Sequence, residues 1–294
     1  MAMQREAVRG TAAALVAFAL ACAAPAPTLA AELDRSGGPY VPTPQVVVDQ
    51  MLRMGNVGAS DFVIDLGSGD GVIVLTAAKQ FKASGVGVEI DPELVKLSND
   101  AARKLGVADR ASFLQQDVLQ ADLSKASVVM LYLLPDMMLK LRAKFFSELK
   151  PGVRVVSHDY EFGEWQPDEQ ITFEVLEKEE VIGVPQAVVS LWHVPAKVAG
   201  NWEVRVAGGK TYELTLKQRF QVLEGSVAVG GKPLPPPQLA LRGSEFSFAL
   251  PDGKGRFSGR VTDNTMSGVV ELPGAKTPAR WSAVRTAAGV VNID

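Results

Sequence analysis

Residues Asp65-Leu66-Gly67-Ser68-Gly69-Asp70-Gly71 constrain this chain more than any other stretch, because Gly85-Val86-Gly87-Val88-Glu89 follows them at a telling distance. The apolar run Phe62 to Leu66 reads as a buried parallel strand. Glycines then permit a tight turn and a close approach of backbone to ligand before a helix begins near Val72. Val86 to Ile90 reads as the second strand. Its acid, Glu89, stands twenty-two residues after Gly67, where a carboxylate accepts both hydroxyls of a ribose. Strand, glycine turn, helix and spaced acid together imply a parallel α/β sheet that binds a nucleoside-bearing ligand.

The loop's charges narrow the ligand. A dinucleotide fingerprint spaces its glycines G-x-G-x-x-G and seats a pyrophosphate on the helix N-terminus. Here Gly67, Gly69 and Gly71 alternate around Ser68, with carboxylates at Asp65 and Asp70. Acids beside the loop repel a pyrophosphate and suit a cation. S-adenosylmethionine carries an ammonium and a sulfonium and no phosphate. A further acid, Asp117, follows the strand-like Ala111 to Leu114 and is placed to accept from an adenine amino group. Asp65 and Asp117 also read individually as strand-end caps.

Asp65 to Gly71, Glu89 and Asp117 resemble the motifs of the seven-stranded, class I S-adenosylmethionine-dependent methyltransferases. Pro39-Tyr40-Val41-Pro42-Thr43-Pro44 upstream narrows the likeness, as do Glu148-Leu149-Lys150-Pro151-Gly152, Arg154-Val155-Val156-Ser157-His158, Trp165 and Pro167 downstream. With them the chain is similar to archaeal broad-specificity protein-lysine methyltransferases and related mitochondrial lysine methyltransferases. The resemblance covers roughly residues 39 to 195. It implies a doubly wound Rossmann-like sheet, S-adenosylmethionine as cofactor and protein lysines as acceptors.

Hydrophobic residues make up 47% and charged residues 21%, ordinary for a globular protein, and 294 residues suffice for two modest domains. The first thirty residues carry a net +1 from Arg5, Glu6 and Arg9, so the remainder of this −3 chain stands at −4. No basic block exists to neutralise phosphates, which argues against nucleic acid as substrate. Residues 1–30 read as a secretory signal: Arg5 and Arg9 precede the apolar run Thr11 to Ala24, and Thr28-Leu29-Ala30 offers a cleavage site. That run is shorter than the roughly 20 residues of a membrane span. An uncleaved anchor, or a cytoplasmic protein started at Met3, is the alternative. The single cysteine, Cys22, lies inside this segment, so the mature chain has no thiol and tolerates an oxidising periplasm. Oligomeric state leaves no mark in the sequence.

A methyltransferase domain is expected over residues 31–196. Thr43 is expected to cap a helix starting at Pro44, Asp91-Pro92 to open one that Gly106 stops, and Asp136 to cap one reaching Leu149. Val128 to Leu134 and Val153 to Ser157 read as further parallel strands, with Val175 to Val181 and Ala187 to Val194 as a closing hairpin. From Asn201 the pattern changes to two-residue alternation punctuated by Gly208-Gly209, Gly230-Gly231 and Asp252-Gly253. About seven short strands are expected over 200–287, forming a small antiparallel barrel or sandwich with Trp202 and Trp281 at its ends.

Three residues are candidates for the chemistry. Tyr40 lies in a proline-stiffened segment which, by the resemblance, folds over the site; it reads almost equally as an anchor for the N-terminal arm. Tyr132 follows the fourth strand at the ligand edge. Amide and adenine amino methyltransferases carry Asn/Asp-Pro-Pro-aromatic there, whereas this chain has Tyr132-Leu133-Leu134-Pro135, which disfavours those substrates. His158 follows the fifth strand and lines an acceptor slot or serves as a structural histidine. Two histidines and no mature cysteine leave no transition-metal site. The readings left open are a protein-lysine methyltransferase, a small-molecule methyltransferase of the same fold, and an exported binding module without catalysis.

Overall fold

The computed structural model describes residues 37–294; the export segment at 1–30 lies outside the described residues. Short, fully buried strands alternate with helices, as a sheet covered on both faces requires. In chain order these are α1 (Gln45–Met54), β1 (Phe62–Leu66), α2 (Val72–Gln80), β2 (Ser84–Glu89), α3 (Pro92–Lys104), β3 (Ala111–Gln115), β4 (Val128–Leu131), α4 (Pro135–Glu148), β5 (Arg154–His158), β6 (Glu169–Glu174), α5 (Leu176–Ile182) and β7 (Gln186–His193). The seven strands form one sheet in the order β3-β2-β1-β4-β5-β7-β6, with only β7 antiparallel to its neighbours. The order reverses at β1, so the loops after β1 and β4 part and leave a crevice at the C-terminal edge. Register aligns Leu66 with Val88 and Leu131, and Leu131 with Ser157. Gly67, Glu89, Tyr132 and His158 therefore stand in one row along that edge.

Asp91 caps α3 as expected, accepting from Glu93 N at 2.9 Å. Two caps shift: Pro44 and not Thr43 precedes α1, and Leu134 precedes α4, leaving Asp136 in its first turn. The expected strand Val175 to Val181 is instead α5, and the hairpin partner of β7 is β6. The segment Leu176-Glu177-Lys178-Glu179-Glu180 is made of good helix formers, and Gly183 ends it in the left-handed conformation, φ +74°.

The second half is a meander of β8 (Gly200–Val206), β9 (Thr211–Arg219), β10 (Val222–Val229), β11 (Lys232–Pro233), β12 (Gln238–Arg242), β13 (Glu245–Leu250), β14 (Gly255–Thr262), β15 (Thr265–Glu271), β16 (Ala279–Ala288) and β17 (Val291–Asn292). Ten strands replace the seven expected. β8 pairs with both β9 and β16, so the sheet rolls up, and β10 meets β12 where Gly225 faces Leu239. Trp202, Phe246, Phe248, Phe257 and Trp281 fill the interior.

The two sheets pack as one unit. Phe220, between β9 and β10, is 2% exposed and inserts into the first sheet's core, its ring 5.8 Å from Phe146 and 6.4 Å from Trp165. It holds φ +52°, a costly backbone for a bulky residue. Beside it buried Gln218 accepts from Val198 N and donates to Ala196 O and Phe220 O, satisfying the linker's backbone. Phe220→Ala should lower unfolding stability by about 3–5 kcal/mol, the usual loss for a buried ring. Denaturant unfolding measures this, and a change below about 1 kcal/mol contradicts the tight junction.

Candidate active site

A cavity of about 320 Å³ opens at the row of strand ends, beneath the loops after β1 and β4. Its floor is the glycine loop. Gly67 and Gly69 hold φ +80° and +53°, and a Cβ on either would stand 2.6 Å from the nearest side chain, Leu133 and Tyr40 respectively. Both left-handed backbone and close approach thus require glycine. Gly71, also left-handed, precedes α2, and Asp70 Oδ1 accepts from Val72 N at 3.2 Å.

Glu89 shapes this loop as well as facing the cavity. Its Oε2 accepts from Gly69 N at 2.9 Å, and its Oε1 accepts from Ile90 N at 2.8 Å and Asp91 N at 3.0 Å. The sequence signalled the acid but not this second use, because Gly69 is twenty residues away. Asp117 combines both readings of it: one oxygen accepts from Leu119 N at 2.8 Å, capping a short turn, and the residue lines the cavity.

Asp65 is the electrostatic anomaly. It is 2% exposed, and its Oδ2 has no hydrogen-bond partner. Burial first, then Glu89 and Asp70, push its carboxyl up to about 8. Ser68 Oγ beside it is likewise buried and unpartnered. The described lining holds Asp65, Asp70, Glu89 and Asp117 and neither Lys nor Arg. Orphaned acid, glycine cradle and uniform negative charge fit S-adenosylmethionine, whose ammonium and sulfonium are cationic, and do not fit a phosphate group. No cluster that could hold a metal occurs among the described residues.

Tyr40 closes the cavity from above, with its ring on Gly69 and its hydroxyl hydrogen-bonded to Asp70. Partial burial, and then Asp70, push that phenol up to about 12, so it stays protonated at neutral pH. Tyr132 and Tyr160 form the opposite wall. His158 does not line the cavity: it is fully buried behind Tyr132, ring centroids 4.1 Å apart, and neither ring nitrogen has a hydrogen-bond partner. Burial lowers its pKa, so the imidazole is neutral and its 3.4 Å approach to Asp159 is no ion pair. Sequence reasoning passed over Tyr160, Asp159 and Lys178, which meet at this wall.

The family described as ANTKMT methyltransferase domain matches residues 65–169. A protein-lysine N-methyltransferase of Saccharolobus islandicus (strain REY15A) is 45% identical over 137 residues, covering 46% of this chain and 85% of the relative. An ATP synthase lysine N-methyltransferase of Xenopus laevis is 36% identical over 162 residues, 55% of this chain and 68% of the relative. A structure described as an RNA methyltransferase from Salinibacter ruber, with S-adenosyl-L-homocysteine, is 46% identical and covers 54% of this chain and 96% of its own, with a TM-score of 0.49.

Asp65→Asn should weaken S-adenosylmethionine binding and remove the proton that the wild type releases on binding at pH 7. A carboxyl at about 8 is mostly protonated at that pH. A cationic ligand favours the ionised form, so a proton leaves, and affinity gains from this group as pH rises toward that value. Calorimetry in two buffers of different ionisation enthalpy counts the protons; the same count in both proteins overturns this account.

Proposed function

The chain belongs to the ANTKMT methyltransferase family, within the class I S-adenosylmethionine-dependent enzymes, and from that premise we propose that it methylates lysine side chains of proteins. The observation that carries this reading is a cavity with an acidic cofactor end and an aromatic, uncharged acceptor end. S-adenosylmethionine, when bound, supplies an electrophilic methyl on a positively charged sulfur. Asp65 faces the ammonium, Glu89 takes the ribose hydroxyls and Asp117 takes the adenine amino group. Gly67, Ser68 and Gly69 offer backbone at close range, and Asp70 holds Tyr40 as the roof.

The acceptor enters past Tyr132, Tyr160, Leu134 and Met137. This wall strips water from a lysine amine, which pulls its pKa below the reference of about 10.4. Orientation of nucleophile and methyl in a dry slot contributes several kcal/mol without a strong base. His158, neutral and walled off by Tyr132, is not placed to take the proton. The four lining carboxylates also disfavour a phosphate backbone, so RNA is a poor acceptor.

Labelled donor incubated with mixed proteins and RNA, followed by mass spectrometry, should place methyl groups on lysine side chains. Label confined to RNA or to small metabolites overturns the proposal. The rate should rise with pH through the pKa of the bound amine, since only the neutral amine reacts. His158→Asn should leave that limb in place; its disappearance would make the histidine the base.

We further propose that residues 1–30 direct export to the periplasm, from the charge and apolar pattern of that segment. No helix among the described residues is long and apolar enough to cross a membrane. Residues 1–35 fused to a reporter active only outside the cytoplasm should give signal, with the mature N-terminus near Ala31. Full-length cytosolic protein overturns export and leaves the enzyme in the compartment where its methyl donor is made.

A further inference from the structure

Of the four tyrosines in the chain, Tyr40, Tyr132 and Tyr160 line the cavity. Behind Tyr132 lies a buried charge pair that no step above uses. Asp159 follows β5 in the left-handed conformation, φ +64°, which is strained for a non-glycine residue. Its Oδ1 accepts from Lys178 Nζ at 2.7 Å and from Val188 N at 3.1 Å, and its Oδ2 stands 2.6 Å from the same Nζ. Lys178 is 4% exposed and also donates to Gln186 O. Burying two charges costs solvation that apolar residues of similar size would not cost, so stability alone is a weak reason for such a pair. What it touches is Tyr132, whose hydroxyl hydrogen-bonds to Asp159 and whose ring is clamped by His158.

We propose that the Asp159–Lys178 pair is a positioning device for Tyr132: it takes the phenol's hydrogen and so turns the oxygen's lone pairs to the cavity, as acceptor for an N–H of the incoming lysine amine. This rests on the lysine reading. A carboxylate only accepts, and a phenol has a single hydrogen to give. Once that hydrogen is committed to Asp159, Tyr132 can only accept from a ligand. A neutral primary amine has two N–H bonds and one lone pair, so an N–H held by Tyr132 directs the lone pair away from the wall, toward the methyl. Lys178 has its own part. A bare carboxylate here would attract the lysine as ammonium, which has no lone pair, whereas the paired one leaves the wall uncharged.

Each methyl added removes one N–H. The neutral dimethylamine has none, so Tyr132 assists the first two transfers and not the third.

The test is a double-mutant cycle on the full chain with a lysine-containing peptide, joining Tyr132→Phe to the paired change Asp159→Asn with Lys178→Met. Changing both partners avoids stranding a buried charge. The pair variant should lower kcat about 10-fold in the presence of Tyr132 and little further in the Phe background, because positioning acts through that hydroxyl. S-adenosylhomocysteine affinity should stay unchanged, and mass spectrometry should show the Tyr132→Phe loss on the first two methylations only. Losses that multiply independently, or fall equally on all three methylations, overturn the positioning role. Phenolate absorbance supplies a readout without activity: the tyrosine missing in Tyr132→Phe should ionise at lower pH in the pair variant than in the wild type. No shift overturns the contact. A wild type that binds S-adenosylhomocysteine but modifies no lysine overturns the proposed function and the amine acceptor together. Lysine transfer with independent losses overturns the positioning role alone.

Discussion

One carboxylate holds the site's backbone in place. Glu89 accepts from Gly69, Ile90 and Asp91 N–H groups, so it ties the loop after β1 to the turn after β2. Three donors on one buried acid satisfy its oxygens locally. Gly69 is also held by its carbonyl, which accepts from Ser98 Oγ at 3.1 Å. Loop, α3 and β2 are therefore one hydrogen-bonded body, and Tyr40 can rest on Gly69 because that body does not move aside. The acid that meets the ligand is the same acid that builds the surface on which the ligand sits.

This part of the fold was legible because its signals are local. Phe62 to Leu66 is apolar on both faces, and the glycines follow at once. Asp91 before Pro92 caps its helix from two residues away. Where the partner is distant, the sequence was silent or misleading. Helix α5 has seven residues, too few to show a helical period or to stand alone, and Lys178 anchors it to Asp159 nineteen residues earlier. The same ion pair gives the acceptor wall its polar backing, so misreading α5 and missing Asp159 were one error. His158 was legible as an alternative only: its ring neighbour, Tyr132, lies on another strand, and that neighbour decides that it is buried behind the wall.

The rolled sheet explains its own absence from the cavity. Its described contacts with the first sheet's half fall on Phe146 and Arg142 of α4, on Trp165 and Gln166, and on the ion pairs Arg219–Glu164 and Arg242–Glu169. None of these residues lines the cavity. Exposed ion pairs are worth little, so Phe220 carries the junction, burying its ring where α4 would otherwise show Phe146 to water. The consequence for chemistry runs along α4. The residue before that helix, Leu134, and its first-turn Met137 line the acceptor end, while its far end rests on the rolled sheet. A stiff helix seated at one end positions the other.

Charge divides the cavity into two halves with opposite demands. At the cofactor end Asp65 is buried without a partner, a cost the ligand-free protein carries and a cationic ligand relieves. Binding to the native state alone then stabilises it in proportion to the logarithm of ligand concentration. At the acceptor end the same uncompensated acid would be harmful, because it would hold a lysine in its charged, unreactive form. There the carboxylate, Asp159, is cancelled by Lys178 and screened from the cavity by a phenol. Two acids a few strand widths apart are thus left bare in one place and neutralised in the other. That asymmetry suits a reaction whose donor arrives as a cation and whose acceptor must not.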